Sequence, residues 1–261
     1  MKEYIGAGYE QVLKLNGMGG FDSIWNMEAG WFEEPNDRRG GWSGVSKISL
    51  KKENGETFNV FLKRQENHDT KVWTHPVKGI PTFYHEFQNI RRFIANGIPT
   101  LEPVYFAYRY QEGKSQAILI TRELEGFQSL DATIYERDGA IMQNRAQREE
   151  IMETVAKAIR KMHGYHFQHR CLYGKHIFLG LVKGCWEVKF IDLEKVRRIP
   201  IKKRAVMCDL DTLPRHLQGW RCSDRVKFLK IYMQEEKLSR KSKLIWREIN
   251  RRMLRRNKLV S

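Results

Sequence analysis

The chain reads as an α+β protein of two lobes, an antiparallel sheet carrying one helix followed by a mostly helical half. Three observations predict this. Short apolar runs broken by tight-turn sequences fill residues 45–121, the periodicity turns helical beyond Glu123-Leu124-Glu125-Gly126, and residues 145–163 carry the strongest helical stripe. A chain of 261 residues can bury a substantial core, and 41% hydrophobic with 30% charged residues is a globular balance, not a disordered one.

The elements follow in order. Asn36-Asp37-Arg38-Arg39-Gly40-Gly41-Trp42-Ser43-Gly44 is a glycine-rich turn between strands, and Val45 to Leu50 alternates, with Val45, Lys47 and Ser49 on one face and Ser46, Ile48 and Leu50 on the other. Glu53-Asn54-Gly55-Glu56 is a hairpin signal leading into the apolar strand Phe58 to Leu62, which ends at Lys63. Gln65 to Lys78 is mostly polar and reads as a loop. Pro81-Thr82 starts a helix with Phe83, Phe87, Ile90 and Ile94 at helical spacing, ended by Gly97 and Pro99. Glu86 falls three residues after Phe83 and four before Ile90, so it projects from the buried side and needs a cation, for which Lys63 is a candidate. Val104 to Tyr108 and Ala117 to Thr121 form a hairpin about Gln111-Glu112-Gly113-Lys114. Residues 123–126 then act as a hinge. The helix from Arg145 to His163 buries Ile151, Val155, Ile159 and Met162 and stops at Gly164.

A formal net charge of +16 favours polyanionic partners, whether nucleic acid, anionic lipid or phosphorylated glycolipid. Cys171, Cys185, Cys208 and Cys222 have neither zinc-site spacing nor the density of a secreted disulfide scaffold, which points to a reducing cytoplasm. The start of the chain lacks the apolar core of a signal peptide, and no window approaches the ~18 apolar residues of a membrane span. Any membrane association is therefore expected to be peripheral.

Two motifs carry chemistry: His169-Arg170-Cys171-Leu172-Tyr173-Gly174-Lys175-His176, and the apolar strand end Phe190-Ile191-Asp192-Leu193. Together with the glycine turn, strand lysine, helix glutamate and hinge, in that order, they resemble the protein-kinase-like fold. Arg39-Gly40-Gly41-Trp42-Ser43-Gly44-Val45, His176 and Phe190-Ile191-Asp192-Leu193 make the chain similar to the bacterial lipopolysaccharide kinase (Kdo/WaaP) family, in its InaA-type branch. The resemblance spans about residues 30–225 and divides the chain into an N-lobe (1–124), a C-lobe (125–236) and a basic C-terminal helix (237–261).

The resemblance implies ATP and Mg2+ as cofactors and a sugar hydroxyl of the lipopolysaccharide core, or another anionic glycolipid, as acceptor. Gly40, Gly41 and Gly44 would admit phosphates to the backbone, Lys63 held by Glu86 would pair with them, and Glu123 in the hinge completes the cofactor-binding set. Asp192 is implied as metal ligand, with His176 at the second metal position, where an imidazole is a poor magnesium ligand but a possible phosphate or backbone partner, so that a one-metal site or a water-mediated second metal is implied. Plainer readings stand beside these: a hairpin turn for the glycines, a solvent-facing Lys63, and a strand-end turn cap at Asp192. Asp209 would hydrogen-bond the catalytic-loop backbone early in a C-lobe helix, or cap that helix. His169, Arg170 and Cys171 form the catalytic set, and Cys171 departs from the pattern because the resembling kinases place an aspartate there to orient the acceptor and take its proton. Two readings stay open: a phosphotransferase that relies on positioning and charge, or a pseudokinase that binds nucleotide or scaffolds. Glu194 and Asp211 are candidates for replacing the missing carboxylate.

Lys237 to Lys258 carries ten Lys or Arg and one acidic residue, Glu248, with Ile245, Ile249 and Met253 at four-residue spacing beside Trp246. Such a helix lies on an anionic membrane with its apolar face down or docks that stripe on the lobe, and the two are compatible where only part of the stripe docks. A nucleic-acid role would use the same charge, but no specific nucleic-acid signature accompanies it, so no specific nucleic acid is expected as partner.

Overall fold

The computed structural model describes residues 2–38, 40–72, 75–133, 144–216 and 222–257. The fold is α+β, with two compact units: residues 1–92 with 101–125, and residues 93–100 with 126–261.

The first unit is built on a six-stranded antiparallel sheet. Its strands are β1 (Lys2–Ile5), β2 (Trp31–Arg38), β3 (Gly41–Lys51), β4 (Thr57–Glu66), β7 (Pro103–Gln111) and β8 (Lys114–Arg122), in the order β1-β7-β8-β4-β3-β2. Alternation in β4 sends Phe58, Val60 and Leu62 into a core with Tyr105, Ile118 and Ile120, covered by the short helices α1 (Glu10–Leu15) and α2 (Phe21–Trp25). Each such side chain, fully buried, contributes about 1.5–3 kcal/mol. The same alternation puts Lys63 on the opposite face. There the helix α3 (Thr82–Ala95) packs, its Phe87 ring stacked 4.3 Å from Phe106 of β7.

The polar stretch 65–78 is not a loop. It continues β4 and then forms a hairpin of β5 (Asp69–Val72) and β6 (His75–Pro81), with Asp69 opposite Pro81. Gln65 explains its polarity: the side-chain carbonyl accepts from Thr82 Oγ1 and from the Phe83 amide, both at 2.9 Å, and so caps α3 from a distant strand. The helix buries Phe83, Glu86, Phe87, Asn89, Ile90 and Phe93, whereas Ile94 is 51% exposed, so the inward position is Phe93.

The glycine turn is shorter than its sequence suggests. Asn36, Asp37 and Arg38 pair with Ser43, Trp42 and Gly41, and Gly40 takes φ 80°. Gly41 and Gly44 lie within β3 for reasons of space. A Cβ on Gly41 would stand 2.0 Å from the Glu66 carbonyl oxygen, and one on Gly44 would stand 2.6 Å from the Trp31 ring. Gly41→Ala therefore must displace backbone, and we expect it to cost at least about 2 kcal/mol, read as a lowered thermal midpoint.

The second unit contains the strands β9 (Phe127–Ser129), β11 (Ile177–Val182) and β12 (Cys185–Phe190) in one antiparallel sheet, and the two-residue ladder β10 (Phe167–Gln168) with β13 (Arg197–Arg198). After the short α4 (Leu130–Thr133) come the helices α5 (Arg145–Gly164), α6 (Lys202–His216), α7 (Cys222–Met233) and α8 (Arg240–Asn257). Asn144 caps α5 by accepting from the amides of Ala146 and Gln147, and Ile151, Val155, Ile159 and Met162 are buried as their spacing predicts. Gly164 does not stop this helix: it is the last helical residue, Tyr165 is the cap, and the left-handed turn falls on His166 at φ 64°.

In α8, Ser242, Ile245 and Ile249 are buried within the second unit, where α8 packs on α6. The described part of the stripe therefore docks on α6, and α8 presents to solvent a basic side with Lys241, Lys243, Arg247 and Arg251 exposed. The Met253 side chain lies outside the described residues.

Candidate active site

In the first unit Lys63 and Glu86 meet as the spacing predicts. Lys63 Nζ donates to Glu86 Oε1 at 2.6 Å, the glutamate side chain retaining 4% of its exposure and the lysine 19%. The carboxylate thus holds an ammonium that solvent, and any phosphate, still reaches. On the same face, Lys47 and Asn59 donate to the two oxygens of Glu123 at 2.6 and 2.8 Å, and the Glu123 amide bonds to the Asn59 carbonyl. The hydrogen bond from Lys47 is the largest effect drawing Glu123 below the ordinary carboxylate range. Its carboxylate and amide both have partners within the unit.

In the second unit Asp209 organises the loop. It sits in the middle of α6, fully buried, and accepts from the amides of His169 at 2.7 Å and Arg170 at 2.9 Å. The hydrogen bond to the loop is realised and capping is not, since α6 begins seven residues earlier at Lys202. Arg170 takes the left-handed conformation, φ 68°, which costs energy outside glycine and persists because both flanking amides are pinned. Sequence reasoning missed the two residues behind Asp209. His163 Nε2 lies 3.1 Å from its carboxylate, and His163 Nδ1 lies 2.9 Å from the Tyr232 hydroxyl on α7. The available signal was a histidine beside Met162 in the buried stripe of α5.

His169 is itself buried, and its Nε2 donates to the Ile191 carbonyl at 3.2 Å. Burial, the largest effect, pulls its pKa below the usual value of a histidine. The unfolded chain therefore binds this proton first. The stability contributed by the neutral ring is present above the unfolded pKa of about 6.5 and is lost as pH falls below it, by at most about 1.4 kcal/mol per pH unit. Thermal melts from pH 8 to pH 5 should show this decline, and His169→Gln should flatten it.

Cys171 is 7% exposed, and its carbonyl accepts from His176 Nδ1 at 2.8 Å and from the Tyr173 amide. His176 Nδ1 thus donates to a carbonyl, and its Nε2 lies 3.4 Å from Asp192 Oδ2. Asp192 is left-handed at φ 55°, half-exposed, and does not cap the turn that follows it. Among the described residues no three His, Cys, Asp or Glu side chains assemble into a ready cage. A metal held by Asp192 and His176 would complete its shell with water and phosphate oxygens, as magnesium does. Asp211 is buried in α6.

A solved structure described as WaaP in complex with acyl carrier protein superposes with a TM-score of 0.69 at 19% identity, covering 98% of this chain and 99% of that one. Protein InaA of Escherichia coli (strain K12) is 32% identical over 198 residues, 76% of this chain and 88% of that protein. The family model described as lipopolysaccharide kinase (Kdo/WaaP) family matches residues 22–232. With most of its length matched, and with a lysine–glutamate pair and a pinned His-Arg loop in place, the chain belongs to the lipopolysaccharide kinase (Kdo/WaaP) family.

Proposed function

We propose that this protein is an ATP-dependent phosphotransferase acting on a sugar hydroxyl of a lipopolysaccharide-type acceptor at the inner leaflet. The observation that carries it is the Lys63–Glu86 pair, because a buried ion pair is a poor source of stability and is kept where its cation has another task. Lys63 would bind nucleotide phosphates with the turn at Gly40, while Asp192 and His176 would hold the metal. A bound divalent ion neutralises phosphate charge and orients the oxygens. Asp192 supplies the oxygen donor that Mg2+ and Mn2+ both take, whereas an imidazole is a poor magnesium ligand, so both ions belong in the assay.

Phosphoryl transfer through a loose transition state depends on positioning and charge more than on a base, so Cys171 slows the reaction without forbidding it. One observation favours a second reading, a nucleotide-binding regulator without chemistry: the thiol that replaces the carboxylate is buried and offers no base to an acceptor. No described helix is long and apolar enough to cross a membrane, and association through the exposed basic side of α8 suits this role.

Transfer of labelled phosphate from ATP to lipopolysaccharide separates the two. We expect slow transfer by the wild type, none by Asp192→Ala, and a gain of about 10²-fold for Cys171→Asp, the contribution of a positioned base. Absence of transfer by wild type and Cys171→Asp alike would establish the regulator.

A further inference from the structure

The hairpin of β11 and β12 ends differently from other tight hairpins of this chain. Glu53-Asn54-Gly55-Glu56 and Gln111-Glu112-Gly113-Lys114 close on polar residues, and the cross-strand pairs beside them are Lys51 with Thr57 and Tyr110 with Ser115. Val182-Lys183-Gly184-Cys185 closes the β11–β12 hairpin, with Lys183 at φ 50° and Gly184 at φ 80°, the two positive values of a two-residue turn. Beside it stand Leu181 and Trp186, directly opposite each other. Strand alternation sets this pair. Ile177 with Phe190 and Leu179 with Val188 fill the buried face of the hairpin, and Leu181 with Trp186 is the next pair on that face. It runs past the core: Leu181 is 59% exposed and Trp186 half-buried, and on the other side of the tip Val182 is half-buried and Cys185 exposed. From Leu181 to Trp186 the tip holds one cation, Lys183 at its apex, and no carboxylate.

A single exposed leucine is ordinary on any surface, whereas an aliphatic and an indole side chain side by side on a turn mark a contact. The tip is convex and small. A stable protein interface buries about 800 Å² on each partner, which the side chains of one turn do not supply. A bilayer surface asks for less: an indole at headgroup level, an aliphatic side chain at the acyl boundary, and a cation whose stem lies along the apolar layer while its ammonium reaches lipid phosphate. From this match we infer that the β11–β12 tip is a shallow membrane anchor, Leu181 and Trp186 entering the headgroup boundary of an anionic bilayer and Lys183 bonding to lipid phosphate. The inference rests on the reading of a protein that works at the leaflet, and goes beyond it by naming an apolar contact where the basic side of α8 offers charge.

The test uses the full chain carrying Cys222→Ser, so that the exposed Cys185 takes an environment-sensitive fluorophore, with vesicles of phosphatidylcholine alone or mixed with phosphatidylglycerol. On the mixed vesicles the label should shift to the blue and be quenched by lipids spin-labelled near the headgroup. In the unlabelled chain, Leu181→Ser should weaken vesicle binding about tenfold at an unchanged melting temperature, since the side chain is mostly exposed, and Leu181→Phe should keep it. Vesicle binding with a silent label, or with equal Kd for Leu181→Ser, places the contact elsewhere, as on α8, and overturns the inference. Absence of binding to either vesicle overturns it too, as does a blue shift without vesicles that grows with protein concentration, which would put a second copy on the tip. No nucleotide enters these measurements. The anchor can therefore fail while phosphate transfer from ATP stands, and can hold while transfer fails.

Discussion

Asp209→Ala is expected to be the most damaging single change in the second unit, lowering stability by about 3–5 kcal/mol. Its carboxylate satisfies two buried amides, of His169 and Arg170, and the ring of His163, and a methyl group satisfies none. Each orphaned buried donor costs about 1–3 kcal/mol, a large share of the 5–15 kcal/mol that typically holds a domain together. The loop would also lose what keeps Arg170 left-handed at φ 68°. Thermal unfolding and limited proteolysis should show a lowered midpoint and early cleavage near residues 166–176. Asp209→Asn, which keeps one acceptor oxygen, should recover about half of the loss. A melting temperature within a degree or two of wild type for Asp209→Ala would mean that the loop holds itself.

The second large effect concerns the first unit. Lys63→Met removes the cation facing a carboxylate that retains 4% of its exposure, and breaking one side of a buried pair costs about 3–5 kcal/mol. Glu86→Gln in the same chain removes the stranded charge, so the double variant should be clearly more stable than Lys63→Met alone. This sign is opposite to additivity. A structural lysine and a phosphate-binding lysine agree on that outcome and differ on nucleotide binding, which the well-folded double variant should have lost.

What could be read from the sequence followed from short-range rules. The turn at Asn54-Gly55 and the one at Glu112-Gly113 lie where the chain needs positive φ, with Gly55 at 86° and Gly113 at 76°. Glu86 was placed on the inner side of α3 by its distance from Phe83 and Ile90, and the Lys63 pairing follows from that placement. Tertiary contacts decided the rest. The hairpin at 69–81 was hidden because its polar residues serve neighbouring elements, as when Ser115 donates to Asp69. Gly41 and Gly44 look like a phosphate loop in sequence, yet the strand opposite one and the indole beside the other already require glycine there. Ile94 and Phe93 are adjacent, and only packing against Phe167 and Phe190 chooses Phe93. The fate of the α8 stripe depended likewise on whether a partner surface existed, and α6 supplies it.

Calorimetry of ATP with and without Mg2+ tests the central claim most directly. The comparison sets wild type against Asp192→Ala, whose half-exposed side chain can be removed without unfolding the chain, and against Lys63→Met/Glu86→Gln. We expect magnesium-dependent binding by the wild type that is lost in both variants. Binding that survives both, or a wild type that takes up no nucleotide with either Mg2+ or Mn2+, would contradict the account.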